Sequence, residues 1–90
     1  MNNTHYIDKY THVKMTYDNG LIFNAKAVSI VILDRWGKSI WRKERGFSTE
    51  PIIWEGIDSY GSKVSPGSFT CKITYPDKEV IYVPFVFIQK

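Results

Sequence analysis

The amino-acid sequence predicts an all-β protein, an antiparallel sandwich of about seven short strands. Three observations lead to this prediction. Apolar residues alternate with polar ones as in half-buried strands, turn-forming residues recur about every ten positions, and no stretch shows the spacing of an amphipathic helix. Because 90 residues leave room for one core, we expect a single domain over residues 1–90, with residues 1–10 frayed.

The composition is that of a globular protein with an aromatic-rich core. Hydrophobic residues make up 43% and charged residues 23%, which excludes a disordered polymer, and the 16% of aromatic residues supply large buried areas. Cys71 is the only cysteine, which excludes an intrachain disulfide and a zinc site built from several cysteines. We also expect no signal peptide in this chain and no membrane insertion, because no long apolar run is present.

Two short strands are expected before residue 24. Residues 11–17 alternate in polarity and end at Asp18-Asn19-Gly20, where Gly20 allows the positive φ of a tight turn. Residues 21–23 then form a return strand or an extended bridge.

The central hairpin is the clearest local feature of the sequence. Residues 27–33 are β-branched and nearly all apolar, which predicts a central strand covered on both faces. Asp34 closes the following turn with its carboxylate and Gly37 takes the left-handed conformation. Residues 38–42 should therefore fold back as the partner strand.

Three further strands follow a polar crossover at residues 44–51. Residues 52–54 form a brief apolar strand, and residues 68–75 alternate cleanly, with one face toward the core and the other toward water. The last strand spans residues 79–88. We expect it at a sheet edge or bulged near Pro84, because proline donates no ladder hydrogen bond.

These strands define two sets of structural residues. The expected core residues are Ile30, Ile32, Trp54, Phe69, Cys71 and Ile73. The expected turn residues are Gly20, Asp34, Gly37, Gly56, Gly61, Pro66 and Gly67. A carbohydrate-stacking role is the alternative for Trp54, but the apolar neighbours Ile52 and Ile53 favour the core.

Three aromatic side chains are candidates for binding a protein partner. Trp36 lies at the hairpin tip, where it either folds back over the sheet edge or is exposed for contact, and both orientations stay open. Phe85 and Phe87 face outward if the residues that alternate with them face the core. We favour this outward face, bound by a partner or covered by a neighbouring domain, over a bulge at Pro84 that turns both rings inward.

Two stretches of the sequence resemble a known family. Residues 32–41 carry an apolar strand that ends in Arg35-Trp36-Gly37, and residues 54–69 carry a Trp-x-Gly turn, a glycine loop and a Pro-Gly before an aromatic strand. This order resembles the immunoglobulin-like domain of flagellar hook-capping proteins and, more closely, the gliding-motility-associated C-terminal domain of exported Bacteroidetes proteins. The closing residues 86–90 also fit, so the resemblance covers roughly the last two thirds of the chain.

The resemblance implies an immunoglobulin/fibronectin-III-like sandwich from an exported bacterial protein, located at the cell surface or outside the cell. It implies a non-catalytic structural or docking role, as a C-terminal sorting signal, a spacer or an assembly domain. The implied partner is a protein, either a component of secretion or surface assembly or a neighbouring domain of the same chain.

The residues offer little for catalysis, so we expect no enzyme, no cofactor and no metal site. His5 and His12 have no further ligand at a suitable spacing, and the carboxylates are not paired in an apolar setting. The second hypothesis is a small basic β-barrel that binds single-stranded nucleic acid through Trp36, Trp41 and the cations of residues 38–45. We do not expect a nucleic-acid partner, because so small a cluster is more typical of a solvated turn. A small enzyme or carbohydrate-binding domain is the least supported.

Overall fold

Strands make up all of the regular structure in the described part of the chain. The computed structural model describes residues 5–7, 13–16, 21–23, 26–46, 50 and 52–88. The predicted all-β class is confirmed. Eight strands lie in these residues rather than the expected seven or so. They are β1 (His5–Ile7), β2 (Val13–Thr16), β3 (Leu21–Phe23), β4 (Ser29–Leu33), β5 (Ser39–Glu44), β6 (Ile53–Trp54), β7 (Gly67–Thr74) and β8 (Val80–Ile88).

The strands form two sheets. β4 pairs antiparallel with β5 and with β7, β7 pairs antiparallel with β8, and β2 adds to β8 in parallel, which gives the order β2-β8-β7-β4-β5. The other sheet has the order β1-β3-β6, with β1 parallel and β6 antiparallel to β3. The neighbours β5-β4-β7-β8 follow the order C′-C-F-G of immunoglobulin-type sandwiches.

β4 is the central strand that the apolar run predicted. Its residues Ile30 and Ile32 are fully buried in the core. Val31 points to the opposite face and is also buried, in register with Arg42 on one side and Lys72 on the other. Long cationic side chains cover apolar surface with their methylene groups, so this strand is covered on both faces as predicted.

The core lies between the sheets and is centred on Trp54. Its ring centroid lies 5.7 Å from Phe85, 6.0 Å from Phe87, 6.3 Å from Phe69 and 6.4 Å from Trp41, all in tilted or edge-on arrangements. Such geometries stabilise aromatic pairs beyond the area that they bury. The buried cluster consists of Leu21, Phe23, Ala27, Ile30, Ile32, Ile52, Trp54, Val64, Phe69, Cys71, Ile73, Val83, Phe85 and Phe87.

The expected outward orientation of Phe85 and Phe87 is wrong. Their side chains are 3% and 0% exposed, whereas Val86 and Ile88 are exposed. The reason is the unbroken register between β8 and β7, which places Phe85 opposite the buried Phe69. Because side chains alternate along a strand, Phe87 follows Phe85 into the core and no bulge is required.

β8 is an edge strand along only half of its length. Residues 85–87 have β7 on one side and β2 on the other, Ile88 pairs with β2, and residues 80–84 have β7 as their one described neighbour. Pro84 lies just before the point where β2 begins to pair, at Phe85. The expected edge is therefore confined to the first half, and the register shows no bulge at Pro84.

The N-terminal strands connect the two sheets. β2 pairs with β8 and β3 pairs with β1 and β6, so β3 does not return along β2. Residues 17–20, with the expected turn residue Gly20, lie outside the described residues. β1 lies within residues 1–10, the segment expected to be frayed.

Candidate functional site

A tight turn between β4 and β5 presents Trp36 to solvent. The Asp34 N–H donates to the Lys38 carbonyl at 2.9 Å, and the Gly37 N–H donates to the Asp34 carbonyl at 3.0 Å. The Asp34 Oδ1 accepts two more hydrogen bonds of 2.9 Å, from the backbone N–H groups of Trp36 and Lys38. Gly37 has a φ of 83°, which residues with a side chain resist. The turn therefore holds Trp36 on a fixed backbone.

The turn between β6 and β7 repeats this design around Tyr60. The Asp58 N–H donates to the Ser62 carbonyl at 2.8 Å, and the Gly61 N–H donates to the Asp58 carbonyl at 3.1 Å. The Asp58 Oδ1 accepts from the N–H groups of Tyr60 at 2.9 Å and Ser62 at 3.0 Å. Gly61 has the same φ of 83° as Gly37. Two Asp-x-aromatic-Gly sequences thus fold into one type of turn.

Both aromatic side chains at these turns are exposed. Trp36 is 76% exposed and Tyr60 is 94% exposed. The guanidinium carbon of Arg35 lies 4.3 Å from the centroid of the Trp36 ring and covers one of its faces. Exposed Trp and Tyr side chains held by rigid backbone commonly anchor protein interfaces, because they bury a large area with little loss of conformational entropy.

The two turns lie at the same end of the sandwich, which we call the aromatic end (residues 34–38 and 58–62). The N–H and the hydroxyl of Ser59 both donate to the Ile40 carbonyl oxygen, at 2.9 and 3.1 Å. A hollow of about 410 Å³ adjoins both turns, and its lining includes Trp36, Ile40, Asp58, Pro66 and Phe69. The aromatic end therefore combines two exposed rings with a concave surface.

A second hollow continues from the aromatic end onto the outer face of the five-stranded sheet. It measures about 780 Å³ and is lined by Leu33, Arg35, Thr70, Tyr82, Pro84 and Val86, among others. Along β8, the exposed apolar side chains are Val80, Tyr82, Val86 and Ile88. The last strand thus offers an apolar outer face, but through these residues and not through the phenylalanines.

Sequence reasoning identified Trp36 and missed Tyr60. Of the two orientations left open for Trp36, the structure has the exposed one. The signal for Tyr60 was a repeated spacing, because Asp34 and Asp58 each precede an aromatic residue by two positions and a glycine by three. That repetition was visible without coordinates.

The other described residues singled out from the sequence lie in the core, in turns or at the start of a strand. The six expected core residues, Ile30, Ile32, Trp54, Phe69, Cys71 and Ile73, are all buried. Gly56 is buried with a φ of 84°, Pro66 is exposed, and Gly67 begins β7. Burial raises the pKa of the Cys71 thiol well above its ordinary value, so this side chain does not supply a thiolate nucleophile at neutral pH.

The cationic cluster of residues 38–45 is partly used inside the fold. Arg45 donates from Nε to the Ala27 carbonyl at 2.6 Å and from Nη1 to the Glu50 carbonyl. Trp41 is half-buried and packs against Trp54. A stacking groove for single-stranded nucleic acid would need the Trp41 ring open to solvent, so the geometry disfavours that hypothesis. The cluster lies mostly in strand β5 and not in the solvated turn that the sequence suggested.

The described residues contain neither a cluster of metal ligands nor a membrane-spanning helix. Within them, no three His, Cys, Asp or Glu side chains lie close enough together to hold a metal ion. His12, one of the two histidines considered from the sequence, lies outside them. The same residues contain no helix long and apolar enough to cross a bilayer.

The fold has a counterpart among solved structures, although no family model and no curated protein matches the chain. That counterpart lies in PorZ. PorZ is described as an essential bacterial surface component of the type-IX secretion system of Porphyromonas gingivalis. The similarity has a TM-score of 0.56 at 22% identity, over 73% of this chain and 9% of PorZ. The shared feature is therefore the fold, and the chain spans a small fraction of PorZ.

Proposed function

We propose that this chain is a non-catalytic docking module of an exported bacterial protein, folded as one sandwich over residues 1–90. It binds another protein through the aromatic end and the adjoining outer face of β8. The partner is a component of secretion or surface assembly, or a neighbouring domain of the same protein.

The observation that carries this proposal is the pair of exposed rings on matched turns. Trp36 and Tyr60 each lie on a turn closed by an aspartate that accepts two backbone hydrogen bonds. Rings exposed to this extent bury little apolar surface in the core, so they contribute little to the stability of the domain. Rigid aromatic anchors beside a hollow are what a protein interface uses for affinity.

Two further lines support an exported module. The motifs around Trp36 and Trp54 resemble domains of exported bacterial proteins, and the fold occurs in a surface component of a secretion system. Sorting signal, spacer and assembly domain are the roles that such a module serves. All three require stable folding, and none requires catalytic groups.

Photo-crosslinking in the bacterium that produces the protein tests this proposal. A benzophenone amino acid is placed at position 36 or 60, and as a matched control at Lys78, in the exposed turn between β7 and β8 at the opposite end of the sandwich. We expect positions 36 and 60 to yield the same discrete protein adduct, in the cell-surface or secreted fraction, and position 78 not to yield it.

Two outcomes would contradict the proposal. One is an adduct pattern at positions 36 and 60 that matches the pattern at position 78. The other is an adduct confined to cytoplasmic proteins, which would contradict an exported module even if docking itself occurs.

A further inference from the structure

β5 is an edge strand of the five-stranded sheet. Two hydrogen bonds show which of its backbone N–H and C=O groups point toward β4 and which point outward. The Arg45 N–H donates to the Val28 carbonyl at 2.9 Å, so the backbone hydrogen-bonding groups of Arg45 point toward β4. The Ile40 carbonyl accepts from Ser59, so the backbone carbonyl of Ile40 points away from β4. Since hydrogen-bonding direction alternates along an antiparallel strand, Arg42 and Glu44 direct their N–H and C=O groups to the outer edge.

This edge is open between Arg42 and Glu44 within the described residues. Two residues before Arg42, the outward-pointing carbonyl of Ile40 already accepts hydrogen bonds from Ser59 of the same chain. A hollow of about 560 Å³ runs beside the edge and is lined by Trp41, Arg42, Lys43, Glu44, Glu50 and Ile53, among others. An unpaired edge of this kind readily accepts another strand.

The charges at the open edge are complementary between two antiparallel copies of β5. Arg42 and Glu44 are both exposed and, being two residues apart, lie on the same face of β5. In an antiparallel pairing of two β5 strands centred on Lys43, Arg42 of each copy is opposite Glu44 of the other. These are the residues whose backbone groups face the edge, so each pair also exchanges N–H and C=O hydrogen bonds.

Among antiparallel self-pairings of β5, the charges favour this register, because centring the pairing on Arg42 or on Glu44 places two like charges directly opposite each other. The pairing contains two opposite-charge pairs and one like-charge pair, Lys43 opposite Lys43, and cross-strand pairs of each type have similar magnitudes. An acidic strand from another protein would also form two opposite-charge pairs, with Arg42 and Lys43, and one like-charge pair, with Glu44, so the charge count alone does not separate it from a second copy. A two-fold arrangement also uses one surface patch twice, which is the usual geometry of dimers.

We propose that two copies of this chain associate through their β5 edges, with Arg42 of each copy paired with Glu44 of the other, to form one continuous sheet. The contact lies on a different surface from the aromatic end, so it does not depend on the docking function proposed above. The shared edge is short, and the dimer is therefore expected at high chain concentration.

Analytical ultracentrifugation of the 90-residue chain, at concentrations up to about 1 mM and at low salt, tests this contact. We expect concentration-dependent dimerisation of the unmodified chain. Arg42→Glu and Glu44→Arg should each weaken the association at least about tenfold, because both opposite-charge pairs become like-charge pairs. The double variant Arg42→Glu/Glu44→Arg restores opposite charges and should dimerise again.

Mixing the two single variants is a second, independent test of this contact. The two single variants, each monomeric alone, should form a heterodimer, because every Glu at position 42 or 44 then faces an Arg. Lys43→Thr removes the like-charge pair and should strengthen the dimer. Trp36→Ala should leave the association unchanged, which separates this contact from the aromatic end.

Three results would overturn the proposal. The first is a chain that stays monomeric throughout, and the second is a dimer that persists in both single variants. The third is a monomer whose Arg42 and Glu44 amides gain protection from hydrogen exchange only when a synthetic acidic β-strand peptide is added. That third result would assign the edge to another protein.

Discussion

The indole nitrogen of Trp54 donates a 2.7 Å hydrogen bond to the backbone carbonyl of Ile57, so the largest buried side chain also has its polar atom satisfied. This bond joins the core to the loop that continues into the second aspartate turn at Asp58. The interior and the aromatic end are therefore mechanically connected through one residue. Replacing Trp54 should affect both.

Trp54→Ala should lower the free energy of unfolding by about 3 to 5 kcal/mol, because the substitution leaves a large cavity among four aromatic rings. Trp54→Phe should cost less, since a ring remains, although the Ile57 carbonyl loses its donor. Urea denaturation measures both. Trp36→Ala is the matched control, and an effect as large as that of Trp54→Ala would contradict the assignment of Trp36 to the surface.

Asp34→Ala should destabilise the chain by about 1 kcal/mol, because two backbone N–H groups lose their acceptor. Asp34→Asn retains the Oδ1 acceptor and should cost less. Asp58→Ala and Asp58→Asn should behave in the same way if the two turns are equivalent. Thermal unfolding compares the four variants with Glu55→Ala, a change at an exposed position outside both turns, and equal effects of Ala and Asn would show that these hydrogen bonds contribute little.

Gly37→Ala should cost about 1 to 2 kcal/mol, because a side chain resists the left-handed backbone at this position. An added Cβ would meet no atom within 4 Å, so the cost arises from the backbone and not from a clash. Gly37→Asn should therefore be milder and Gly37→Val more severe. Denaturant titrations that ranked Asn as the worst of the three would contradict this explanation.

Cys71 should react with thiol reagents at the rate of unfolding, because its side chain is fully buried. Burial raises the folded-state pKa above that of the unfolded thiol, so the unfolded state releases its proton first as the pH rises. The contribution of Cys71 to stability is thus complete below the unfolded pKa and declines above it. Comparing the unmodified chain with Cys71→Ala from about pH 7 to 10 should show a steeper loss for the unmodified chain. Fast labelling in buffer would place the thiol at the surface.

Local signals predicted the centre of the fold well. The apolar run at residues 27–33 and the Asp34 to Gly37 turn led directly to the β4-β5 hairpin, because every feature of that turn is encoded within a few residues. The alternation of residues 68–75 likewise identified β7. These elements needed no information about distant parts of the chain.

The errors arose where tertiary pairing decides the outcome. Period-two alternation separates Phe85 and Phe87 from Val86 and Ile88, but it does not say which set is buried. Pairing of β8 with β7 decides that question, since it aligns Phe85 with Phe69. The position of Pro84 suggested an edge, whereas β2 joins β8 one residue later, through a parallel pairing between residues far apart in sequence.

The candidate site divides in the same way. Trp36 could be chosen from its hairpin tip, but its exposure depends on how Arg35 and the neighbouring turn lie. The proximity of the two turns depends on the contact between Ser59 and Ile40, which links segments 19 residues apart. No local pattern in the sequence indicates that contact.

The affinity between this chain and the protein cross-linked at position 36 tests the proposed docking surface most directly. Isothermal titration calorimetry would compare the unmodified chain, the double variant Trp36→Ala/Tyr60→Ala, and Ile53→Ala, a control with an exposed apolar residue on the other sheet. We predict that the double variant binds at least about 30-fold more weakly, as expected for the loss of interface anchors, while Ile53→Ala binds normally. Equal affinities of the double variant and the unmodified chain would contradict the proposed docking surface.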